Sequence, residues 1–439
     1  MKNFHLLLSL VFCLSLPLFS GAQQLTPQAV GLLPSNYTVF GISAPSEDVA
    51  WAIAFDSNVP SPVPLGHQLI VLRTIDGGEN WEAMEVEEAA GYISFDIQAF
   101  DENTAFFTGQ TFGNSNPYGV FKTVDGGQTW EWKPAGVAGG VWLRFFSETH
   151  GLCINRQYMR RTLNGGDTWG VINGIPSFNN NEYTLLYSGT NSCTTVKDTV
   201  YFGTSNGNIY KSTDRGENWV KIPTGLTNSE TINSVAFSDG YHGLGTSNAK
   251  FVRTDNGGEG WETFFAPIGY RFTNIAHVPG TESSFVATSA LGSGGLAYTE
   301  DFGDNWTIVA DLRLTAIDFA SPYTAWIGAP ARSNADDPPI IKWEADFFVV
   351  DVQEVQPPEG LEVFPNPAAD YLAVKVPEEY QAGLQGFTLY SSTGQKVRSW
   401  DYDGSRQLNI SLHNIPPGAY SLQPAGEKPA RPLPVVIQR

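Results

Sequence analysis

Cysteine is scarce in this chain of 439 residues, which contains only three. Cys13 lies in an N-terminal apolar run, so the rest of the sequence keeps only Cys153 and Cys193. Two cysteines allow one bridge, which is too few for a disulfide framework. Disulfide-stabilised mini-proteins are therefore excluded, and the fold must be stabilised by packing.

Charged residues are also few, at 16% of the sequence, and most of them are acidic. The chain has 45 Asp and Glu against 25 Lys and Arg, which gives a formal net charge of −20. A surface of this sign repels phosphate backbones and anionic lipids, so we expect no nucleic-acid partner. The hydrophobic content of 41% suffices for a large core and excludes a disordered polymer.

A single long apolar run occurs, from Leu6 to Phe19, after a short segment that contains Lys2. It is too short to span a bilayer and has the length of a signal-peptide core. Small residues at 20–22 supply a cleavage site, so we expect a signal peptide over residues 1–22. An uncleaved anchor is the alternative at this end. We expect no transmembrane anchor elsewhere, because no later segment is apolar for long enough.

Glycine, by contrast, is abundant at 45 residues, and many glycines lie in six copies of one nine-residue segment. Each copy has Thr or Ser at its second position, Asp or Asn two residues later and Trp at its end. The copies are residues 73–81, 122–130, 161–169, 211–219, 253–261 and 298–306. Their tryptophans recur every 39 to 50 residues, which suits four-stranded propeller blades of about 40–50 residues.

The residue types of this segment suit a turn between two strands. A short Asp or Asn side chain bonds backbone N–H groups further along, glycine accepts positive φ, and Trp wedges between sheets. Asn replaces Asp in two copies, which indicates that a hydrogen-bond acceptor suffices there. We therefore predict structural roles, not acid/base roles, for Asp76, Trp81, Asp125, Trp130, Asn164, Trp169, Asp214, Trp219, Asn256, Trp261, Asp301 and Trp306.

These segments resemble the Asp-box, or BNR, repeat of sialidase-like β-propellers over roughly residues 24–345. The chain also resembles photosystem II assembly-factor propellers. In those propellers a short apolar strand precedes each box, and residues 49–53 are such a segment in this sequence. The resemblance implies an all-β propeller over residues 23–345. A strand at 324–328 followed by 340–343 lacks a box but completes a seventh blade, so we expect seven blades, with six as the alternative. The segment 36–42 is expected to form a first strand or the closing one.

Connections on the face opposite the boxes differ in length. If each box joins a third strand to a fourth, the longer second-to-third connections are 56–67, 110–119, 289–295 and 328–339, in four consecutive blades. Sialidase-like propellers hold their ligands on this face. The resemblance therefore implies a ligand site on the part of the ring that carries these four connections, which we call the arc. The candidate ligand-binding residues are Asp56, His67, Phe112, Tyr118, Arg332, Asp336 and Asp337. The alternative is ordinary variable surface loops.

Catalytic motifs are poorly represented. Sialidases use three arginines, a tyrosine with its glutamate and an acid, yet arginines are few here and no Arg-Ile-Pro motif occurs. Xyloglucanase-like relatives place an aspartate pair between two propellers, and this chain has room for one. No metal is expected because the histidines lack paired ligand spacing, and no cofactor is expected either. We therefore favour a non-catalytic binding or scaffold module for glycan or protein over a secreted glycoside hydrolase.

The sequence changes character after the propeller region. An acidic, proline-ended stretch at 346–359 is predicted to be a linker, and alternating apolar runs over 360–439 predict a small β-sandwich. The Phe-Pro-Asn-Pro start at 364–367 and the Pro-Gly-Ala-Tyr stretch at 417–420 resemble the type A sorting domain of the type IX secretion system of Bacteroidetes. This resemblance implies the secretion machinery as a partner and export to the surface, or the medium, of a Gram-negative cell.

Overall fold

The computed structural model describes residues 24–438 except 61–62, 112–117, 137–140, 156–157, 173–174, 177–181, 185–191, 228–229, 248, 268, 291–294, 346–360, 367, 378–380, 382, 392–395 and 427–432. The chain divides into two compact units, residues 1–348 and 349–439. Among the helices of the described part, none is long and apolar enough to cross a membrane.

The described residues of the first unit form seven four-stranded antiparallel sheets, here called blades 1 to 7. Blade 1 has β2 (Tyr37–Ser43), β3 (Ala50–Asp56), β4 (Ile70–Thr74) and β5 (Glu82–Glu85). Blade 2 has β6 (Ile97–Ala99), β7 (Ala105–Gly109), β8 (Gly119–Thr123) and β9 (Glu131–Pro134). Blade 3 has β10 (Val141–Phe145), β11 (Gly151–Asn155), β12 (Met159–Thr162) and β13 (Gly170–Val171). A short 3-10 helix, Glu87–Ala89, follows blade 1.

The remaining blades repeat the pattern. Blade 4 has β14 (Cys193–Val196), β15 (Thr199–Gly203), β16 (Asn208–Ser212) and β17 (Val220–Pro223). Blade 5 has β18 (Ser234–Phe237), β19 (Gly243–Ser247), β20 (Lys250–Thr254) and β21 (Glu262–Phe265). Blade 6 has β22 (Asn274–His277), β23 (Phe285–Thr288), β24 (Leu296–Thr299) and β25 (Thr307–Ala310). Blade 7 has β26 (Ile317–Phe319), β27 (Thr324–Gly328), β28 (Ile340–Glu344) and β1 (Gln24–Gln28).

The blades close into a ring. The innermost strands β2, β6, β10, β14, β18, β22 and β26 contact one another in cyclic order, and β26 contacts β2. Closure is completed by β1, which pairs with β28 from Gln24 opposite Glu344 to Gln28 opposite Ile340. The all-β propeller predicted from the sequence is therefore confirmed. The ring holds seven sheets, the larger of the two counts considered. Residues 37–42 of the segment 36–42 lie in the innermost strand of blade 1, and the closing strand is β1 instead.

Burial falls from the inner strands to the outer edge of each blade. Every residue of β7 and β27 is buried, because these second strands lie between neighbouring blades. The fourth strand β5 is mostly exposed and carries Glu82 and Glu85. Charges along an outer edge discourage pairing with further strands.

The six repeated segments are the turns between third and fourth strands, and each is closed by its own side chains. In blade 1 the Thr74 hydroxyl donates to Asp76 Oδ1 at 2.9 Å and accepts the Gly78 N–H at 2.9 Å. Asp76 also accepts the backbone N–H and the side-chain amide of Asn80. The first two bonds recur in the other five turns. Gly78 has φ 92°, which a side chain would strain.

Tryptophans of these turns pack between blades. The Trp81 ring lies edge-on to Trp326 of blade 7 at 5.4 Å. Trp130 of blade 2 lies edge-on to Trp51 of blade 1 at 6.3 Å. Such pairs add aromatic contact to the apolar surface that each blade buries against the next.

The second unit contains two antiparallel sheets around one apolar core, as the predicted β-sandwich requires. The first sheet has β29 (Glu362–Phe364), β30 (Tyr371–Lys375) and β33 (Gln407–Ser411). The second has the order β32 (Lys396–Asp401), β31 (Leu384–Ser391), β34 (Gly418–Gly426) and β35 (Leu433–Ile437). Leu372 and Leu389, one from each sheet, lie in that core.

Candidate functional site

The propeller has two faces. Because the strands of each blade are antiparallel, the turns that hold Asp76 and its equivalents lie on one face, called here the box face. The second-to-third connections and the connections between blades lie on the opposite face, called here the loop face. The candidate residues that the structure describes, Asp56, His67, Tyr118, Arg332, Asp336 and Asp337, belong to connections of the loop face.

The blade 7 connection is held by its own charged residues. Arg332 donates from Nη2 to the carbonyls of Leu33, at 3.1 Å, and Pro34, at 2.7 Å. Its Nη1 donates to the Asp337 carbonyl at 3.0 Å, and its backbone N–H donates to the Ser35 carbonyl at 2.7 Å. Partial burial lowers the pKa of this guanidinium, and Asp337 opposes that shift. Arg332 is thus committed to fixing the connection.

The two candidate carboxylates of this connection are exposed and belong to the same local network. Asp337 Oδ2 accepts the Asn334 N–H at 3.3 Å, and Asp336 Oδ2 accepts the Asn334 side-chain amide at 3.4 Å. The structure therefore brings Arg332, Asp336 and Asp337 together around one turn.

Asp56 and His67 are also neighbours. Asp56 ends β3 and its Oδ1 accepts the Asn58 N–H at 2.9 Å. His67 lies edge-on to Phe55 with ring centroids 5.9 Å apart. Burial lowers the pKa of the His67 imidazole, and Asp56 opposes this shift, so the ring favours its neutral form at neutral pH.

The remaining two candidates lie in the blade 2 connection. Tyr118 is half-buried, and its hydroxyl donates to the Thr111 carbonyl at 2.6 Å. Phe112 lies outside the described residues, so its predicted role stays a prediction.

The blade 1 connection is held by the same segment as the blade 7 connection. Its Ser57 N–H donates to the Asn36 carbonyl at 3.2 Å, beside the residues that Arg332 contacts.

A cavity of about 320 Å³ opens where the connections of blades 6, 7 and 1 meet. We call it the rim cavity, and its lining includes Phe40, Ser57, Asn274, Ala290, Arg313 and Ala331. Three hydrogen bonds join blades beside it: Asn274 Nδ2 to the Thr315 carbonyl, Thr315 Oγ1 to the Val39 carbonyl, and Ala331 N–H to Thr38 Oγ1. The rim cavity lies on the predicted arc, although none of the seven candidate residues lines it.

The central channel holds a charged cluster that the sequence did not predict. Arg144 Nη1 lies 2.8 Å from Asp96 Oδ2, and its other guanidinium nitrogens donate to the Cys193 carbonyl at 3.1 and 2.8 Å. Burial raises the pKa of Asp96 to about 6, against the opposing charge of Arg144. Burial likewise raises the pKa of Asp318 to about 6. A cavity of about 410 Å³ lies beside Arg144 and Asp318.

Arg144 and Asp318 of this cluster belong to a layer formed by the equivalent position of each innermost strand. The layer consists of Ser43, Gln98, Arg144, Thr194, Ala236, Ala276 and Asp318. Four of its polar side chains, those of Ser43, Gln98, Arg144 and Asp318, bond to the next blade around the ring. Asp318 accepts the Ala44 N–H at 2.8 Å, Ser43 accepts the Ala99 N–H at 3.0 Å, and Gln98 bonds both backbone groups of Phe145. These side-chain hydrogen bonds thereby replace the strand pairing that adjacent blades lack.

Within the described residues Cys153 and Cys193 are free and buried. Burial raises the pKa of the Cys153 and Cys193 thiols, so both stay protonated at neutral pH. Within the described residues no group of three or more His, Cys, Asp or Glu side chains could hold a metal ion.

Residues 362–430 match the family described as the secretion system C-terminal sorting domain. This range falls within the second unit and agrees with the resemblance seen in the sequence. No curated protein matches the chain.

Solved structures resemble the first unit. YCF48 bound to a D1 peptide has a TM-score of 0.52 and 17% identity, over 74% of this chain and 96% of that chain. YCF48 from Cyanidioschyzon merolae has a TM-score of 0.51 and 15% identity, over 74% of this chain and 100% of that chain. A GH74 xyloglucanase from Xanthomonas campestris has a TM-score of 0.51 and 14% identity, over 80% of this chain and 59% of that chain. At these identities the likeness shows the propeller fold alone.

The fold and the matched domain together give the organisation of the chain. The chain is a β-propeller that ends in a C-terminal sorting domain of the type IX secretion system, and it is therefore exported to the cell surface or the medium.

Proposed function

We propose that the exported propeller is a non-catalytic binding module that holds a protein or a glycan on its loop face. The observation that carries this proposal is that neighbouring connections of the loop face are hydrogen-bonded to one segment beside the rim cavity. The connections of blades 7 and 1 are both hydrogen-bonded to residues 33–36, and together with blade 6 they border the rim cavity. Loops fixed to a rigid ring beside a cavity are a usual setting for recognition.

The state of the charged residues supports binding ahead of hydrolysis. A glycosidase needs two carboxyl groups that flank the scissile bond, one with a raised pKa. Among the described residues three carboxyl groups have a raised pKa. Asp96 and Asp318 accept backbone N–H groups across the blade junctions, and Glu300 lies in a turn of the box face beside Asp301. Asp336 and Asp337 take part in the local network around Asn334.

A protein ligand has one additional support. YCF48, a propeller of similar fold, is described as bound to a D1 peptide. That peptide belongs to YCF48, and only the use of a propeller for peptide recognition is carried over here. The sorting domain accounts for a second partner, the type IX secretion machinery, which delivers the propeller to the outside.

A paired assay tests this function. The exported full-length chain is incubated with polysaccharides and glycoproteins to measure reducing-sugar and sialic-acid release, and with immobilised extracts of the cell surface to measure retention. The expected result is retention without release. Retention should fall when the connection 330–338 is shortened, and should persist in Val124→Glu, which alters an exposed side chain of the box face.

Sugar release that disappears in Asp56→Asn, Asp336→Asn and Asp337→Asn combined would replace the proposal with a glycoside hydrolase on the same arc. Retention that is lost in Val124→Glu but not in the shortened variant would move binding to the box face.

A further inference from the structure

We propose that the rim cavity anchors one carboxylate of a partner protein through Arg313, within a peptide segment that has basic flanks. This inference rests on the proposed binding function and deepens it by naming the chemistry of the ligand. Three residues that line the cavity carry it. Arg313 takes part in no ion pair among the described residues, the buried amide oxygen of Asn274 lacks a donor, and the Phe40 ring is fixed by packing.

Arg313 lies in the connection between blades 6 and 7 and is exposed. Across the described part of the chain it takes part in none of the ion pairs, although Asp311 is two residues away. This distinguishes it from Arg73, Arg144 and Arg253, each of which is paired with a carboxylate. A guanidinium presents paired N–H donors that match the two oxygens of a carboxylate.

Asn274 supplies the complementary group. The residue is 1% exposed, and its Nδ2 donates to the Thr315 carbonyl. Its Oδ1 has no hydrogen-bond partner within the described residues. A buried acceptor without a donor is costly, so a ligand N–H that reaches it is favoured. Asn274 lines the same cavity as Arg313, so a donor for a carboxylate lies beside an amide whose oxygen lacks a donor, and a peptide carries both a carboxylate and N–H groups.

Phe40 gives the cavity a fixed apolar wall. Its ring stacks on Phe55 at 4.1 Å and meets Phe95 edge-on at 5.1 Å, so its position is set by packing. A volume of about 320 Å³ lies at the small end of ligand pockets and suits one side chain or one sugar ring.

A carboxylate ligand could belong to a peptide or to an acidic polysaccharide, and the net charge of the chain favours the peptide. With a formal net charge of −20, the protein repels a polyuronate, whose every residue is anionic. A peptide with one carboxylate and lysine or arginine flanks gains from the same field while its anionic group reaches Arg313. We therefore assign the site to a protein segment and treat acidic polysaccharide as the competing outcome.

Fluorescence anisotropy on the full exported chain tests this assignment. The probes are labelled octapeptides with lysine flanks that carry one central Asp or a free C-terminal carboxylate, matched peptides with Asn or a C-terminal amide, and labelled polyuronate. Carboxylate peptides should bind at least about tenfold more tightly than their neutral counterparts, because the neutral peptides cannot form charge-assisted hydrogen bonds with Arg313. That preference should vanish in Arg313→Gln and in Ala331→Phe, which fills the cavity.

The matched control is Arg271→Gln, because Arg271 is an exposed arginine of the preceding connection on the same face and does not line the cavity. It should keep the preference. Equal affinities in Arg313→Gln and wild type would overturn the inference while leaving the proposed function intact, as would binding of polyuronate alone. If no probe binds and no surface component is retained, the proposed function fails together with the inference.

Discussion

The indole Nε1 of Trp81 donates a 2.9 Å hydrogen bond to Oε1 of Gln28, which joins the first blade to the strand that closes the last one. Gln28 is 8% exposed and pairs with Ile340 in β28. Trp81 also lies edge-on to Trp326 of the same blade. One side chain therefore contacts two strands of blade 7 at the ring closure.

Trp81→Phe should destabilise the propeller by about 1–3 kcal/mol, because it leaves the buried Gln28 amide oxygen without a donor. Chemical denaturation measures this loss. Trp261→Phe is the control, since the Trp261 indole N–H has no partner among the described residues. Equal losses in the two variants would show that the hydrogen bond to Gln28 contributes nothing to closure.

The turn carboxylates should be replaceable by amides but not by alanine. In blade 3 Asn164 Oδ1 accepts the Thr168 N–H, and its Nδ2 donates to the Thr168 hydroxyl, both at 3.0 Å. Asp125→Asn should therefore cost less stability at pH 7 than Asp125→Ala, which should cost about 1 kcal/mol or more. Thermal unfolding of the two variants tests the difference, and an Asn variant as unstable as the Ala variant would refute the structural role.

Asp125 also predicts a dependence on acid. Hydrogen bonds from the Thr129 side chain and backbone, and from Thr123, lower the pKa of Asp125 to about 2. Because the folded pKa lies below the unfolded one, the stability it contributes is present above about pH 4 and is lost as the pH falls towards 2. Asp125→Asn lacks that contribution, so the free energy of unfolding of wild type relative to Asp125→Asn should fall as the pH falls from about 4 to about 2. A difference that stays constant over this interval would contradict the lowered pKa.

The channel carboxyls predict the opposite dependence. Burial raises the pKa of Asp318 to about 6, so the folded protein binds this proton more tightly than the unfolded chain. The resulting stability is present below about pH 4 and is lost as the pH rises through 6, by up to roughly 3 kcal/mol. Asp318→Asn keeps an acceptor for the Ala44 N–H and removes the charge. Its stability relative to wild type should therefore rise between pH 4 and pH 7, and a flat difference would contradict the raised pKa.

Arg332 is expected to act as a latch for the blade 7 connection. Arg332→Met removes the bonds to the Leu33, Pro34 and Asp337 carbonyls. Hydrogen exchange at residues 33–36 and 329–339 should accelerate, while exchange in the blades should change little. Arg271→Met, on another connection of the same face, should leave both segments protected.

Local chemistry explains what the sequence could predict. The six turns are closed by residues within nine positions of one another, such as Thr74, Asp76 and Asn80, so their pattern is visible along the chain. Their spacing then fixes the blade repeat. The apolar alternation and the Phe-Pro-Asn-Pro start of the second unit were equally local signals.

The channel cluster and the rim cavity could not be predicted in this way. Asp318 bonds Ala44, and Arg332 bonds Leu33, across about 270 and 300 positions of sequence. Only ring closure makes these residues neighbours. For the same reason Arg313 and Asn274 formed no recognisable motif in the sequence. Arg332, Asp336 and Asp337 did stand out in the sequence, and their hydrogen bonds hold the blade 7 connection in place.

The central claim, that the loop face is the binding face, is tested most directly by photocrosslinking on living cells. A photoreactive amino acid replaces Leu312, which is 42% exposed beside Arg313, or Val124, which is 63% exposed on the box face. Adducts identified by mass spectrometry should form from position 312 and be absent from position 124. Adducts from position 124 with none from position 312 would contradict the account.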